Sequence, residues 1–93
     1  MNVLCIIPPS PFLADARVMA PLGILWVAAS LRARGHGVEV LDLEGHTDWR
    51  ELVTTTIRTR APGAACVTGT AAHFPFCVEI HRLVKAADPS VRT

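Results

Sequence analysis

His73, Cys77 and His81 recur every four residues, so on a helix they would line one side, an arrangement that can hold a metal ion. Cys77 borders an apolar stripe and His81 stands beside Arg82, so a core cysteine next to a solvent-facing histidine accounts for the same spacing. Just upstream, the run TGTAAHF over 68–74 is made of small residues, with hydroxyls at Thr68 and Thr70. Such a loop lets a ligand approach the backbone beside a helix N-terminus. The alternative is a tight turn in which Thr70 is a cap. The other unusual stretch is PPSPFLADARVMA over 8–20, where the prolines and the polar residues Ser10, Asp15 and Arg17 exclude regular structure. His36 and His46 fall in turns, with no role expected beyond solvation. No catalytic residue and no metal-ligand set emerges from these positions.

Several other chemistries are excluded by motif. The chain has no G-x-G-x-x-G after its first apolar run, no G-x-x-x-x-G-K-[ST] and no G-x-S-x-G. The acidic pocket of a phospho-acceptor receiver is missing too, because the first strand runs into prolines and the third into Thr68. Cys5, Cys66 and Cys77 are odd in number and sit in apolar runs, as small buried hydrophobes of a reducing compartment do. None of their spacings is C-x-x-C or C-x-x-x-C-x-x-C, so these residues alone hold no zinc ribbon or iron–sulfur cluster.

The elements that must position the two loops follow from periodicity. NVLCII over 2–7 is a short apolar run closed by prolines, the pattern of a strand buried on both faces of a parallel sheet. A helix is expected over 21–34, with Pro21 at its first position, Arg32 and Arg34 at its negative end and Gly35 as a left-handed cap. Val38, Val40, Leu41 and Leu43 make a second strand. Asp48 and Glu51 form a capping-box-like start to a helix whose stripe is Trp49, Leu52, Val53, Thr56 and Ile57, ending near Arg60 before Pro62-Gly63. A third strand spans 64–68, and Phe76, Ile80, Leu83, Val84 and Ala87 mark a third helix that stops before Pro89. Residues 91–93 read as a fourth strand cut short.

Strand and helix thus alternate, which predicts an α/β fold with helices on both faces of a parallel sheet, three-layer and flavodoxin-like. Such a sheet has about five strands, so the chain is expected to be the first part of a larger domain. Ligands in these sheets bind beyond the carboxyl ends of the strands where strand order reverses, here between the first and third strands. The loops over 8–20 and 69–73 flank that crevice, and the first is far longer than the usual connection of about two to six residues. Leu22, Leu25, Trp26 and Ala29 give the first helix one apolar stripe, and Ile24, Val27, Ala28 and Leu31 give it a second. Both sides of that helix are therefore expected to be covered.

Composition bounds the rest. The chain has 93 residues, 51% hydrophobic and 18% charged, which suits one globular unit. A net charge of +1, with scattered basic residues, argues against nucleic acid or an anionic membrane as partner. The longest low-polarity run, 19–31, falls short of the roughly 18 residues a span needs and contains Pro21 and Gly23. Nothing basic precedes the apolar run at 3–7, so a cytoplasmic location is expected.

Three stretches together resemble a known family. IIPPSPFL (6–13), PLGILWVAASLRARGHGVEVLD (21–42) and TGTAAHFPFCVEIHRLVKAADPSVRT (68–93) are similar to the amino-terminal cobalamin-binding domain of cobalamin-dependent radical S-adenosylmethionine enzymes. The resemblance covers nearly the whole chain. It implies a Rossmann-like domain over 1–93 holding cobalamin at the carboxyl edge of its sheet, with Pro8, Pro9, Ser10, Thr68, Gly69, Thr70 and His73 at the cofactor. The fragment would be noncatalytic alone. Its parent, a methyltransferase or cyclase, would add the rest of this domain and a radical domain carrying an iron–sulfur cluster and S-adenosylmethionine, packed on the apolar first helix. Many other cobalamin domains carry D-x-H-x-x-G after the first strand, the His taking the lower face of cobalt. Here Asp15-Ala16-Arg17-Val18-Met19-Ala20 puts Arg where that His would stand, a departure that favours the radical enzymes. LRARGHGVEV (31–40) equally resembles the amino-terminal half of two-domain sugar-nucleotide glycosyltransferases, although these place Gly-His where this chain has Met19-Ala20-Pro21. A small noncatalytic interaction module is the third alternative.

Overall fold

The computed structural model describes residues 1–11 and 22–93. The expectations for Asp15, Arg17 and a helix-starting Pro21 lie outside the described residues, as does most of the long first loop.

Strand β1 (Asn2–Ile7) is followed by helix α1 (Leu22–Ala33), strand β2 (Gly37–Asp42), helix α2 (Trp49–Arg60), strand β3 (Ala64–Val67) and helix α3 (Phe74–Ala87), the last preceded by a single 3-10 turn (Ala71–His73). All three strands are parallel, in the order β2-β1-β3. The protein is therefore of the α/β class. The most apolar strand is central because only there can both of its faces and both of its edges be covered.

The side chains of β1 alternate between two clusters, as strand geometry requires. Val3, Cys5 and Ile7 pack with Ile24 and Ala28 of α1. Leu4 and Ile6 join Trp49, Val53 and Ile57 of α2, Ile80 and Val84 of α3, and Leu43, Ala65 and Val91. Residues 49, 53 and 57 and residues 80 and 84 repeat at helical spacing, so each helix turns one stripe inward. Arg50 lies over the Trp49 ring, 4.2 Å from its centre, and pairs with Glu79, which ties α2 to α3.

Helix ends follow local chemistry with one exception. After α1 the Gly35 amide donates to Arg32 O and the His36 amide to Leu31 O, both at 3.1 Å, with Gly35 at φ 88°. This is the paired-carbonyl cap that a left-handed glycine permits. Helix α2 closes with Ala61 in the left-handed region at φ 46°, before Pro62. The expected capping box at its start is absent: Asp48 sits at φ −96° and ψ 25°, away from the extended cap conformation, and its side chain makes no cap hydrogen bond. Its Oδ1 lies 3.8 Å from His46 Nδ1 instead.

Strand ends differ slightly from expectation. Leu43 falls outside β2, yet its amide still donates to Ile7 O at 3.0 Å and its side chain is fully buried. Thr68 falls outside β3. Beyond β3, Arg92 makes one parallel bridge with Ala64, through Ala65 N–H to Arg92 O at 2.8 Å and Arg92 N–H to Gly63 O at 3.0 Å. Of the two stripes on α1, Ile24 and Ala28 face the sheet while Leu22 (62% exposed), Leu25 and Trp26 (74% exposed) do not, and Val27 is exposed with them. Among the described residues no helix is long and apolar enough to cross a membrane.

Candidate functional site

The parallel arrangement sends the chain out of β1 and β3 at the same edge of the sheet, so Pro8-Pro9-Ser10 and the turn after Thr68 become neighbours. Their contact is specific. Ser10 is 8% exposed, and its Oγ lies 2.8 Å from His73 Nε2, a bond between residues 63 apart in sequence. The other ring nitrogen, Nδ1, accepts the Thr70 backbone N–H at 2.9 Å, with Thr70 Oγ1 also 2.9 Å away. The His73 amide donates to Thr70 O at 3.0 Å, closing the 3-10 turn.

These bonds assign the imidazole tautomer. A backbone amide can only donate, so Nδ1 must be the unprotonated acceptor, and in the neutral ring Nε2 then carries the hydrogen and donates it to Ser10 Oγ. Nucleophilic activation of a serine requires the reverse, with Nε2 accepting the hydroxyl proton and Nδ1–H held by a carboxylate. The arrangement therefore orients Ser10 without activating it.

Gly69 packs closely against the helix that follows. A Cβ at this position would stand 2.6 Å from His73 Cβ and 3.2 Å from Cys77 Sγ. The space beside its α-carbon is filled by His73, so the glycine serves internal packing and does not open the backbone to a ligand on that side. Thr70 opens the 3-10 turn and holds His73 through its backbone and hydroxyl contacts. Gly69, Thr70, Ala71 and Ala72 are exposed, and Phe74 is 67% exposed next to them.

The four-residue spacing of His73, Cys77 and His81 is used otherwise. Cys77 Sγ donates to Thr68 O at 3.7 Å, and burial pushes its thiol up from the ordinary value. His81 is half-buried, not fully solvent-facing as its sequence context suggested. Among the described residues no group of three or more His, Cys, Asp or Glu is placed to hold a metal ion.

Glu44 escaped sequence reasoning. It follows β2 at the same carboxyl edge, and among the described residues its buried Oε1 has no hydrogen-bond partner. Nothing in a Leu-Glu-Gly turn distinguishes this carboxylate from a solvated one. A groove of about 250 Å³ lies at the opposite, amino-terminal edge, lined by Asn2, Gly37, Val38, Glu39, Arg60 and Pro62. Glu39 and Arg60 pair there at 3.3 Å, and none of the sequence-derived candidates reaches it.

No family model, no curated protein and no solved structure matches the chain.

Proposed function

We propose that the chain binds cobalamin as the amino-terminal part of a flavodoxin-like, three-layer domain, and that its parent is a radical S-adenosylmethionine methyltransferase or cyclase. The observation that carries this reading is the hydrogen-bonded junction of the loops after β1 and β3, through Ser10, His73 and Thr70, at the carboxyl edge of a parallel sheet. That edge, where strand order reverses, is where such sheets take ligands. The small, exposed residues Gly69, Thr70 and Ala71 beside this junction leave room for the polar tail of cobalamin. The bound group would supply a cobalt centre that carries a methyl group. Both nitrogens of His73 are engaged by the protein, so this reading assigns it to positioning Ser10 and not to cobalt. Arg92 beside Ala64 would be the first rung of a fourth strand, and the radical domain would cover Leu22, Leu25 and Trp26.

Cobalamin titration of the complete protein, followed by its visible absorption, tests the reading. Thr70→Phe should weaken binding at least tenfold by filling the exposed side of the loop, an effect of about 1.4 kcal/mol or more. Unchanged affinity in a folded variant would remove this loop from the site, and no binding by the parent protein would remove the function.

A further inference from the structure

The register of the sheet aligns two thiols. Cys5, at the centre of β1, is the direct partner of Cys66 in β3. Register partners in a parallel pair project to the same face, and both side chains lie in the cluster beneath α1, with Ile24 and Ala28 above them. Both cysteines are free. Adjacent strands run about 4.8 Å apart, inside the Cα separation of about 4.4–6.8 Å that a disulfide spans. The two thiols also sense each other: after burial, Cys66 is the second influence pushing the Cys5 thiol up.

We propose that Cys5 and Cys66 form a reversible dithiol–disulfide pair, a redox modification site inside the sheet that reacts with low-molecular-weight disulfides. This inference is independent of the cobalamin reading. Cys66, the less buried of the two, loses its proton and attacks one sulfur of the small disulfide. That S–S bond breaks, a mixed disulfide forms on Cys66, and the departing thiolate takes up a proton. Cys5 then gives up its proton and attacks Cys66 Sγ, expelling the second small thiol. Two protein thiols are oxidised to one disulfide and one small disulfide is reduced to two thiols. Cys66 is only half-buried, which leaves its sulfur the reachable one, while Cys5 lies fully buried beneath Ile24 and Ala28 with Leu31 packed beside them. The bond formed is strained, because in-register parallel residues hold their Cβ atoms about as far apart as the strands, beyond the usual ~3.5–4.5 Å. Strained disulfides are readily reduced, which makes the site a switch and not a staple.

The test is to incubate the full chain at low concentration with oxidised glutathione, alkylate it, and map the peptides without reduction. The expected product is an intramolecular Cys5–Cys66 bond that has lost two hydrogens, is reversed by dithiothreitol, persists in Cys77→Ser and is missing in Cys66→Ala. In concentrated urea, pairing should instead spread over all three cysteines, which shows that selectivity comes from the fold. A native product stopped at glutathionylated Cys66, a bond to Cys77, or full retention of free thiols would each overturn the proposal.

Discussion

At the scale of single residues, His73 decides most of what the edge can do. Its two ring nitrogens are committed to Ser10 and Thr70, so if cobalamin binds here as proposed, His73 would not be a ligand of its cobalt. Electron paramagnetic resonance of the Co(II) form of the complete protein should show no nitrogen superhyperfine splitting from His73, and His73→Ala should leave the spectrum unchanged. Splitting that disappears in the variant would make His73 a ligand. Gly69→Ala forces a methyl group against His73 and should cost about 1–3 kcal/mol of stability, measured by urea unfolding. Alkali is the condition the thiols should resist least. Burial holds Cys5 and Cys77 above the ordinary 9.0, so the native state keeps these protons more tightly than the unfolded chain. Stability from this source is complete below 9.0 and is lost as pH climbs through the raised folded values. Urea midpoints above that pH should fall less in Cys5→Ala, relative to its own neutral value, than in the parent. The sequence named Ser10, Thr70 and His73 separately, because loop position and residue type are local. Their bonding was not legible, since it depends on a register 63 residues apart that no local pattern encodes.

The elements were read more easily than their ends. Alternation of apolar runs with helical stripes located all three strands and all three helices, because each period reports which faces are buried. Gly35 marked the end of α1 for a backbone reason that no other residue meets as cheaply. Gly35→Ala should therefore cost about 1 kcal/mol in unfolding free energy. Asp48 misled because a capping residue is defined by its backbone angles, which the side-chain pattern does not specify. Asp48→Ala should accordingly fall within about 0.5 kcal/mol of the parent, against about 1 kcal/mol for a functioning cap. The doubly apolar character of α1 was legible, but the coverage expected of both sides is met on one only: Leu22, Leu25 and Trp26 are exposed, because among the described residues nothing packs on that side. Trp26→Gln should leave the melting temperature of this chain within a degree or so while raising its solubility, since a ring exposed this far contributes little to the fold.

For the molecule as a whole, the radius of gyration is 12.7 Å, close to the ~12.3 Å expected of a folded chain of this length. Its weak margin is the outer edge of β3, where the bridge to Arg92 covers Ala64 and, among the described residues, no strand continues beside Cys66 and Val67. Unpaired apolar edges recruit other chains. Sedimentation of this chain alone should show concentration-dependent association at micromolar levels, whereas a reversible cooperative melt of a monomer would count against an open edge. The order β2-β1-β3 also sets a timetable during synthesis. One edge of β1 is satisfied once residue 42 has emerged, but its second partner begins at Ala64. At about 5–20 residues per second, that leaves the most apolar strand half-paired for roughly 1–5 s on the ribosome. Translation speed through α2 therefore governs how long nascent chains can pair with one another along β1, and slow codons there should lower the yield of folded protein without changing a single residue.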